Sequence, residues 1–479
     1  MLPPLIRRTR KNVGPCSRQR GFTMALVAIT MVAIISMAAL SIDLGTLYQA
    51  KAEAQRAADA AALAAAQVIS TSGITGDPGN SGNSWQPACG GSTSLATLAA
   101  TNVANQNLIG GNVPSTVTVY YGTSAGVGTA TSCIGAGAGF GVNPVVQVYV
   151  QQAKLPTFFA RIFSLIPGGT FSNSGVSATA AAEAFNPSGT SASTMIPVQP
   201  RCVKPWMVPN QDPGHGAASF VTASTGSLTT SGISTTGVIG ETFSLVPDCL
   251  SGGGRRRPCT VANTPQANGA AGAGNLDYVP GQVSSSSIAV AANSKITSCS
   301  DATRNDYTKA VAGCDQTTIY ACGVSGSNTV DLSENPGPFR NDSVNAAACL
   351  INAGGSGPDQ GQDILSPATY PFQINAGTNS ALPSAGIASG SQITSSPSIV
   401  SLPIYDSTVA INPTGTTSVT VVGFLQVFIN NVNSGAGAIN VTVMNVAGCG
   451  NAVGTGTTSV YGTSPVPVRL ITPPVVATP

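Results

Sequence analysis

The run from Phe22 to Ile42 (FTMALVAITMVAIISMAALSI) holds 21 residues and no charge. A helix of that length extends ~31 Å, the thickness of a bilayer's hydrocarbon core. Six basic residues precede it (Arg7, Arg8, Arg10, Lys11, Arg18 and Arg20), with no acid before Asp43. That bias keeps the near end cytoplasmic and sends the chain beyond Ile42 across the membrane. Thr420 to Ile429 (TVVGFLQVFI) is only ten residues, too short to span. The reading is one crossing. The basic head is too short and local for a nucleic-acid footprint, so the lipid bilayer is the expected partner and nucleic acid is not.

The helix is expected to continue past the bilayer. Residues 43–69 lack Pro, contain one Gly (Gly45), and are mostly Ala, Leu, Gln, Lys, Arg and Glu, all good helix formers except that Gly. At helical spacing Leu47, Ala50, Ala54, Ala57, Ala61, Ala64 and Val68 share one stripe. Arg56 and Asp59 fall opposite it, and Lys51 and Glu53 flank it. A seam of alanines lets backbones approach closely. Two uses fit: packing on the protein's own exported domain, or docking with a partner membrane helix. Leu63 lies on the charged side and hints at a second contact. Ser70 to Gly73 ends the helix.

These residues carry a resemblance. Arg20-Gly21, the apolar span, then Ser41-Ile42-Asp43-Leu44-Gly45-Thr46-Leu47-Tyr48, and then Gln55-Arg56-Ala57-Ala58-Asp59-Ala60-Ala61-Ala62-Leu63-Ala64 together resemble the N-terminal region of TadG-like proteins of the Flp (tight-adherence) pilus-assembly system. The family pattern places Asp-x-Gly near the membrane exit, a Tyr three residues on, and a Gln-x-Ala-Ala-Asp-Ala-Ala-Ala-Leu-Ala helix. The chain departs at Thr46, where Arg is common, and at Ala54, where Leu often precedes the Gln. The resemblance implies a non-catalytic, single-pass component of the inner (cytoplasmic) membrane. Its partners would be pilus-assembly or pilin-like membrane proteins, and its bulk periplasmic or extracellular. The alternative is an exported surface or adhesive protein whose N-terminal segment serves only for export, cleaved at Ser36-Met37-Ala38 or at Gly21. A signal's apolar region is typically shorter than this one, and Leu26 stands where prepilins carry an acid. Some TadG-like proteins carry a metal-binding Asp-x-Ser-x-Ser; here Asp331-Leu332-Ser333-Glu334-Asn335 lacks the second Ser.

The expected fold class is α+β, in six parts: a cytoplasmic basic head (1–21), the transmembrane helix (22–42), its extension (43–70), a small α+β domain (71–186), a loop-rich cysteine-containing region (187–392) and a β-rich C-terminal domain (393–479). In the α+β part, a helix is expected within 92–109 and strands at 115–121 and 144–151. A short helix at 155–165 and a strand at 176–185 complete it. Only 8% of residues are charged, against roughly 25% in ordinary soluble chains, which argues for modest cores and long polar loops. In an exported chain such cores are commonly stapled by disulfides. Cys16 falls on the cytoplasmic side, leaving ten candidates: Cys89, Cys133, Cys202, Cys249, Cys259, Cys299, Cys314, Cys322, Cys349 and Cys449. No Cys-x-x-Cys pair suggests a metal. Strands are expected at 399–405, 419–432 and 439–446, and at 466–471 an edge strand, because Pro467 cannot donate to a ladder.

One histidine, His215, serves the whole chain. It sits in the turn-forming string Asp212-Pro213-Gly214-His215-Gly216 and reads as a solvated loop residue. No phosphate loop, nucleophile elbow or dinucleotide fingerprint appears. The expectation is therefore no catalytic residue, no cofactor and no metal ligand.

Overall fold

The computed structural model describes residues 20–76, 85–123, 125–136, 138–155, 174–186, 198–224, 226, 228–229, 237–247, 267–268, 274–284, 288–290, 299, 305–331, 336–354, 358–366, 372–380, 386–412, 415–449, 460–462 and 464–474. Its first element is α1, Arg20–Thr71, 52 residues without a break. At 1.5 Å per residue it runs about 78 Å. Between Thr23 and Ile42 nearly every side chain is exposed, including Met24, Ile29, Val32 and Met37. Two hydroxyls there bond back onto the helix: Thr30 Oγ1 donates to the Leu26 and Val27 carbonyls, and Ser36 Oγ to the Val32 carbonyl. Each of these polar atoms is thus satisfied by its own helix, which suits apolar surroundings.

Beyond Asp43 the same helix enters a core. It packs on α3 (Leu95–Gln106) and on a five-stranded antiparallel sheet of order β19-β4-β3-β1-β2. The strands are β1 (Thr116–Thr123), β2 (Gly126–Val127), β3 (Pro144–Leu155), β4 (Ser174–Ala184) and β19 (Val468–Ile471). Along β4 the alternate residues Ala178, Ala180, Ala182 and Ala184 join the core under the helix. A period-2 alanine face thereby meets a helical alanine face, and the backbones come close. Bulk comes from Trp85, Phe140 and Tyr121: the Phe140 ring meets Trp85 at a tilt and Tyr121 edge-on, with centroids 5.8 and 6.1 Å apart. The short α2 (Gln86–Cys89) is stapled to the 133–135 turn by Cys89–Cys133. Helix α3 begins after Ser94, whose backbone is extended, and stops before Gly110 and Gly111, both in the left-handed region. The helix expected at 155–165 lies, beyond Leu155, outside the described residues.

The second body is built on a seven-stranded sheet, β6-β14-β16-β17-β7-β9-β8, in which β6 also pairs with β9. Its strands are β6 (Trp206–Pro209), β7 (Thr242–Pro247), β8 (Ala267–Asn268), β9 (Gly274–Pro280), β14 (Ile399–Tyr405), β16 (Val421–Asn433) and β17 (Ala438–Gly448). The extra pairing closes six of them into a ring, which removes exposed sheet edges. Along β16, Leu425, Val427 and Ile429 feed the main core, while Phe424 and Phe428 enter two smaller clusters on the other face. Helices α4 (Asp306–Ala312) and α5 (Pro336–Leu350) add Tyr307, Val311, Val344, Ala347 and Ile351 just beyond α5 to the main core. Tyr307 and Ser343 share a 2.7 Å hydrogen bond between these helices.

Smaller pairings complete the body: β5 (Val198–Pro200) with β18 (Val460–Gly462), β10 (Asn328–Asp331) with β15 (Thr416–Val419), and β11 (Ile364–Ser366), β12 (Gln373–Asn375) and β13 (Gln392–Ile393) together. Four disulfides join described residues: Cys89–Cys133, Cys202–Cys314, Cys299–Cys349 and Cys322–Cys449. Cys249 and Cys259 lie outside those residues.

The α+β class, the long helix and the β-rich C-terminal region match the sequence reading. The placing of two segments differs. Among the described residues, β6, β7 and β9 from the cysteine-containing region share a ring with β14, β16 and β17. The last strand, β19, is an edge strand as Pro467 implies, yet it lies beside β4 in the first sheet. Both differences come from pairings hundreds of residues apart, which local periodicity does not encode.

Candidate functional site

The residues of the family-like motif lie on one continuous helix, and their surroundings divide them into two groups. Ala50, Ala54, Ala57, Ala58 and Ala61 are buried, as are Ala62, Ala65, Ala66 and Val68. Leu47 and Leu63 are partly buried against the same core, and Ala64 is half-buried. The seam is therefore wider than one stripe, because α1 is held by the sheet on one side and α3 on another. The protein's own domain fills it, so of its two anticipated uses the internal one is observed.

Polar side chains fasten the rim. Gln55 Nε2 donates to Asp59 Oδ1 at 2.8 Å and to the Thr179 carbonyl at 3.4 Å. Lys51 donates to the Ser177 carbonyl. Glu53 Oε2 accepts from the Gly110 backbone at 2.7 Å, and Oε1 from Gln49. The Gly110 bond, helped by Gln49 and Arg56, lowers the Glu53 carboxyl below its usual range. Asp43, at the point where α1 leaves its exposed stretch, is itself buried, and Thr46 Oγ1 bonds its carbonyl at 2.8 Å.

The second group faces out. Gly45 is exposed, and a Cβ built on it would meet nothing within 4 Å. Tyr48 is 74% exposed. With Ser41 and Ala52, also exposed, they form one face at i, i+4, i+7 and i+11 spacing. Gly21 is in α1, and its side is not described.

At its far end α1 is tied to the second body. Asn445 Nδ2, on β17, donates to the Ser70 carbonyl at 3.1 Å and to Thr75 Oγ1 at 2.9 Å. Asn186 Nδ2 bridges the Thr75 and Val446 carbonyls, both at 3.1 Å. Neither asparagine stands out in the sequence, since the contacts span up to 375 residues. Between the bodies lies a cavity of about 430 Å³, lined by Gln67 and Thr71 of α1 and by Lys204, Ser401, Gln426 and Ser464. Lys204 is fully enclosed; its Nζ donates to the Gly313 carbonyl at 2.6 Å, and burial pushes the ammonium down to about 7.

Among the described residues one group could hold a metal: Asp212, His215 and Glu241 present ligand atoms within 4.8 Å of one another. Asp212 Oδ2 lies 2.8 Å from His215 Nδ1. Thus His215 sits on a loop as expected but is paired, with its side chain only 24% exposed. The turn string placed Asp212 and His215 together; Glu241, from another segment, had no local signal.

Neither a curated protein nor a solved structure matches the chain. Residues 21–68, the apolar half of α1 and most of its packed extension, match the Tad family, described as putative Flp pilus-assembly TadE/G-like.

Proposed function

We propose that the protein is a non-catalytic, single-pass membrane component of a Flp/Tad-type pilus-assembly apparatus. Its apolar stretch spans the inner membrane with the N-terminus cytoplasmic, and the disulfide-stapled bodies lie outside the cytoplasm. Its partners are other membrane proteins of that system, pilin-like subunits or assembly factors.

The observation that carries this reading is the division of the family-matched helix. Its alanine seam is consumed by the protein's own sheet, whereas Gly45 and Tyr48 stay open at the membrane exit. A glycine inside a helix costs about 1 kcal/mol relative to alanine, and nothing within the described residues requires one at Gly45. A small residue there lets a second helix approach, and the neighbouring Tyr48 suits a membrane–water interface.

The test is co-purification of the full-length protein with the other pilus components, comparing Gly45→Leu, Tyr48→Ala and the unaltered chain. Reduced capture with unchanged membrane retention is expected. Undiminished capture in both variants contradicts the docking face. A soluble mature chain lacking the apolar stretch supports the alternative, in which that stretch serves only for export of a surface or adhesive protein.

A further inference from the structure

The single imidazole is held by a tight turn. Gly216 and Ala217 are both in the left-handed region, with φ of 67° and 65°. They fold the chain back so that the Asp212 amide donates to the Ala218 carbonyl at 2.6 Å. Asp212 then uses its two oxygens separately: Oδ1 accepts from the Gly214 amide at 2.9 Å, and Oδ2 faces His215 Nδ1. Glu241 comes in from another segment, between Gly240 and β7. Its backbone is pinned by the Val443 amide, which donates to the Glu241 carbonyl at 2.8 Å. Its carboxylate lies over Gly214, where a Cβ would collide with it.

The side chains are sheltered: Asp212 is 0% exposed and Glu241 8%. Glu241 Oε2 is buried, without a hydrogen-bond partner, and lies 3.9 Å from His215 Nδ1. A buried carboxylate oxygen without a donor is costly. Burial first, and then Asp212, pushes the Glu241 carboxyl up to about 9.

The geometry points to a site for one divalent cation of the zinc or manganese class, bound by Asp212, His215 and Glu241. Ligand atoms around a tetrahedral ion at 2.0–2.2 Å stand about 3.3–3.6 Å apart, a range bracketed by the 2.8 and 3.9 Å separations here. One imidazole with two carboxylates suits zinc or manganese better than an all-oxygen ion such as calcium. Three protein ligands leave a position for water. The ion would staple the 212–218 turn to the start of β7. This site is independent of the pilus reading, because it lies outside the family-matched residues.

The test uses the full chain in detergent, carrying a histidine-free tag and stripped with chelator. Zinc chloride, manganese chloride and calcium chloride are titrated calorimetrically into the unaltered protein and into H215A and E241Q. One zinc or manganese per chain is expected, with affinity at least about tenfold weaker in either variant. E241Q keeps the side-chain shape and can donate to Asp212, so its metal-free melting temperature should stay close to that of the unaltered protein. The rise produced by zinc should be lost. H215A alters a partly exposed turn and provides a second arm should E241Q misfold. No stoichiometric zinc or manganese binding, binding in both variants as tight as in the unaltered protein, or occupancy by calcium in preference to zinc each overturns the proposal.

Discussion

Replacing Ala57 and Ala61 together by leucine forces the alanine seam to show whether it is filled. Both side chains are 0% exposed and belong to the core shared by α1, α3 and the five-stranded sheet. Each leucine adds three carbons where the facing strand also presents alanines. Overpacking of this kind costs about 1–3 kcal/mol per site. The two positions are one turn apart and share neighbours, so the pair is not additive, and a loss of roughly 2–5 kcal/mol is expected. The chain has two tryptophans, of which Trp85 lies in this core. Trp85 fluorescence in a Trp206→Phe background therefore follows this body in urea. The midpoint should fall by about 1 M or more, while Ala52→Leu on the exposed face should leave it unchanged. Equal midpoints for the double variant and Ala52→Leu would refute the packed seam.

Other perturbations test separate parts. Asn445→Ala removes the donor to Ser70 and Thr75; about 1–3 kcal/mol should be lost, with faster amide exchange at the end of α1. Replacing Cys89 and Cys133 by alanine frees a 44-residue loop and should cost about 4 kcal/mol by chain entropy, read as a lower melting temperature. Lys204 is held at about 7 when folded, below the ordinary lysine value of 10.5. The unfolded chain therefore binds more protons between these values, and stability rises with pH there. The gain is at most about 1.4 kcal/mol per unit. Below pH 7 the penalty is fully present. Denaturation midpoints measured from pH 7 to 9.5 should rise in the unaltered protein and flatten in Lys204→Met.

What could be read in advance depended on the reach of each signal. The apolar run, the alanine periodicity and the Gly110-Gly111 stop are local, and α1, α3, β1, β3, β4 and β14 appear where those patterns put them. Alanine spacing alone did not say which surface would cover the seam, since a partner helix and the chain's own β4 ask for the same small residues. Pairings that depend on distant partners were silent: β6 with β14, β19 with β4, and Asn445 with Ser70. Short strands such as β5, β8 and β13 carry too few residues to show a period. At the His215 turn the sequence supplied Asp212 at i−3 but no trace of Glu241, so a paired imidazole was read as solvated.

The central claim is that α1 is both a lipid anchor and the internal post of the first body. Its most direct test is mass spectrometry of the native protein's N-terminus in the alkali-resistant membrane fraction. The expected result is a chain that retains residues 22–42 and sediments with the inner membrane. A chain beginning after Ala38 and recovered in soluble form would contradict it.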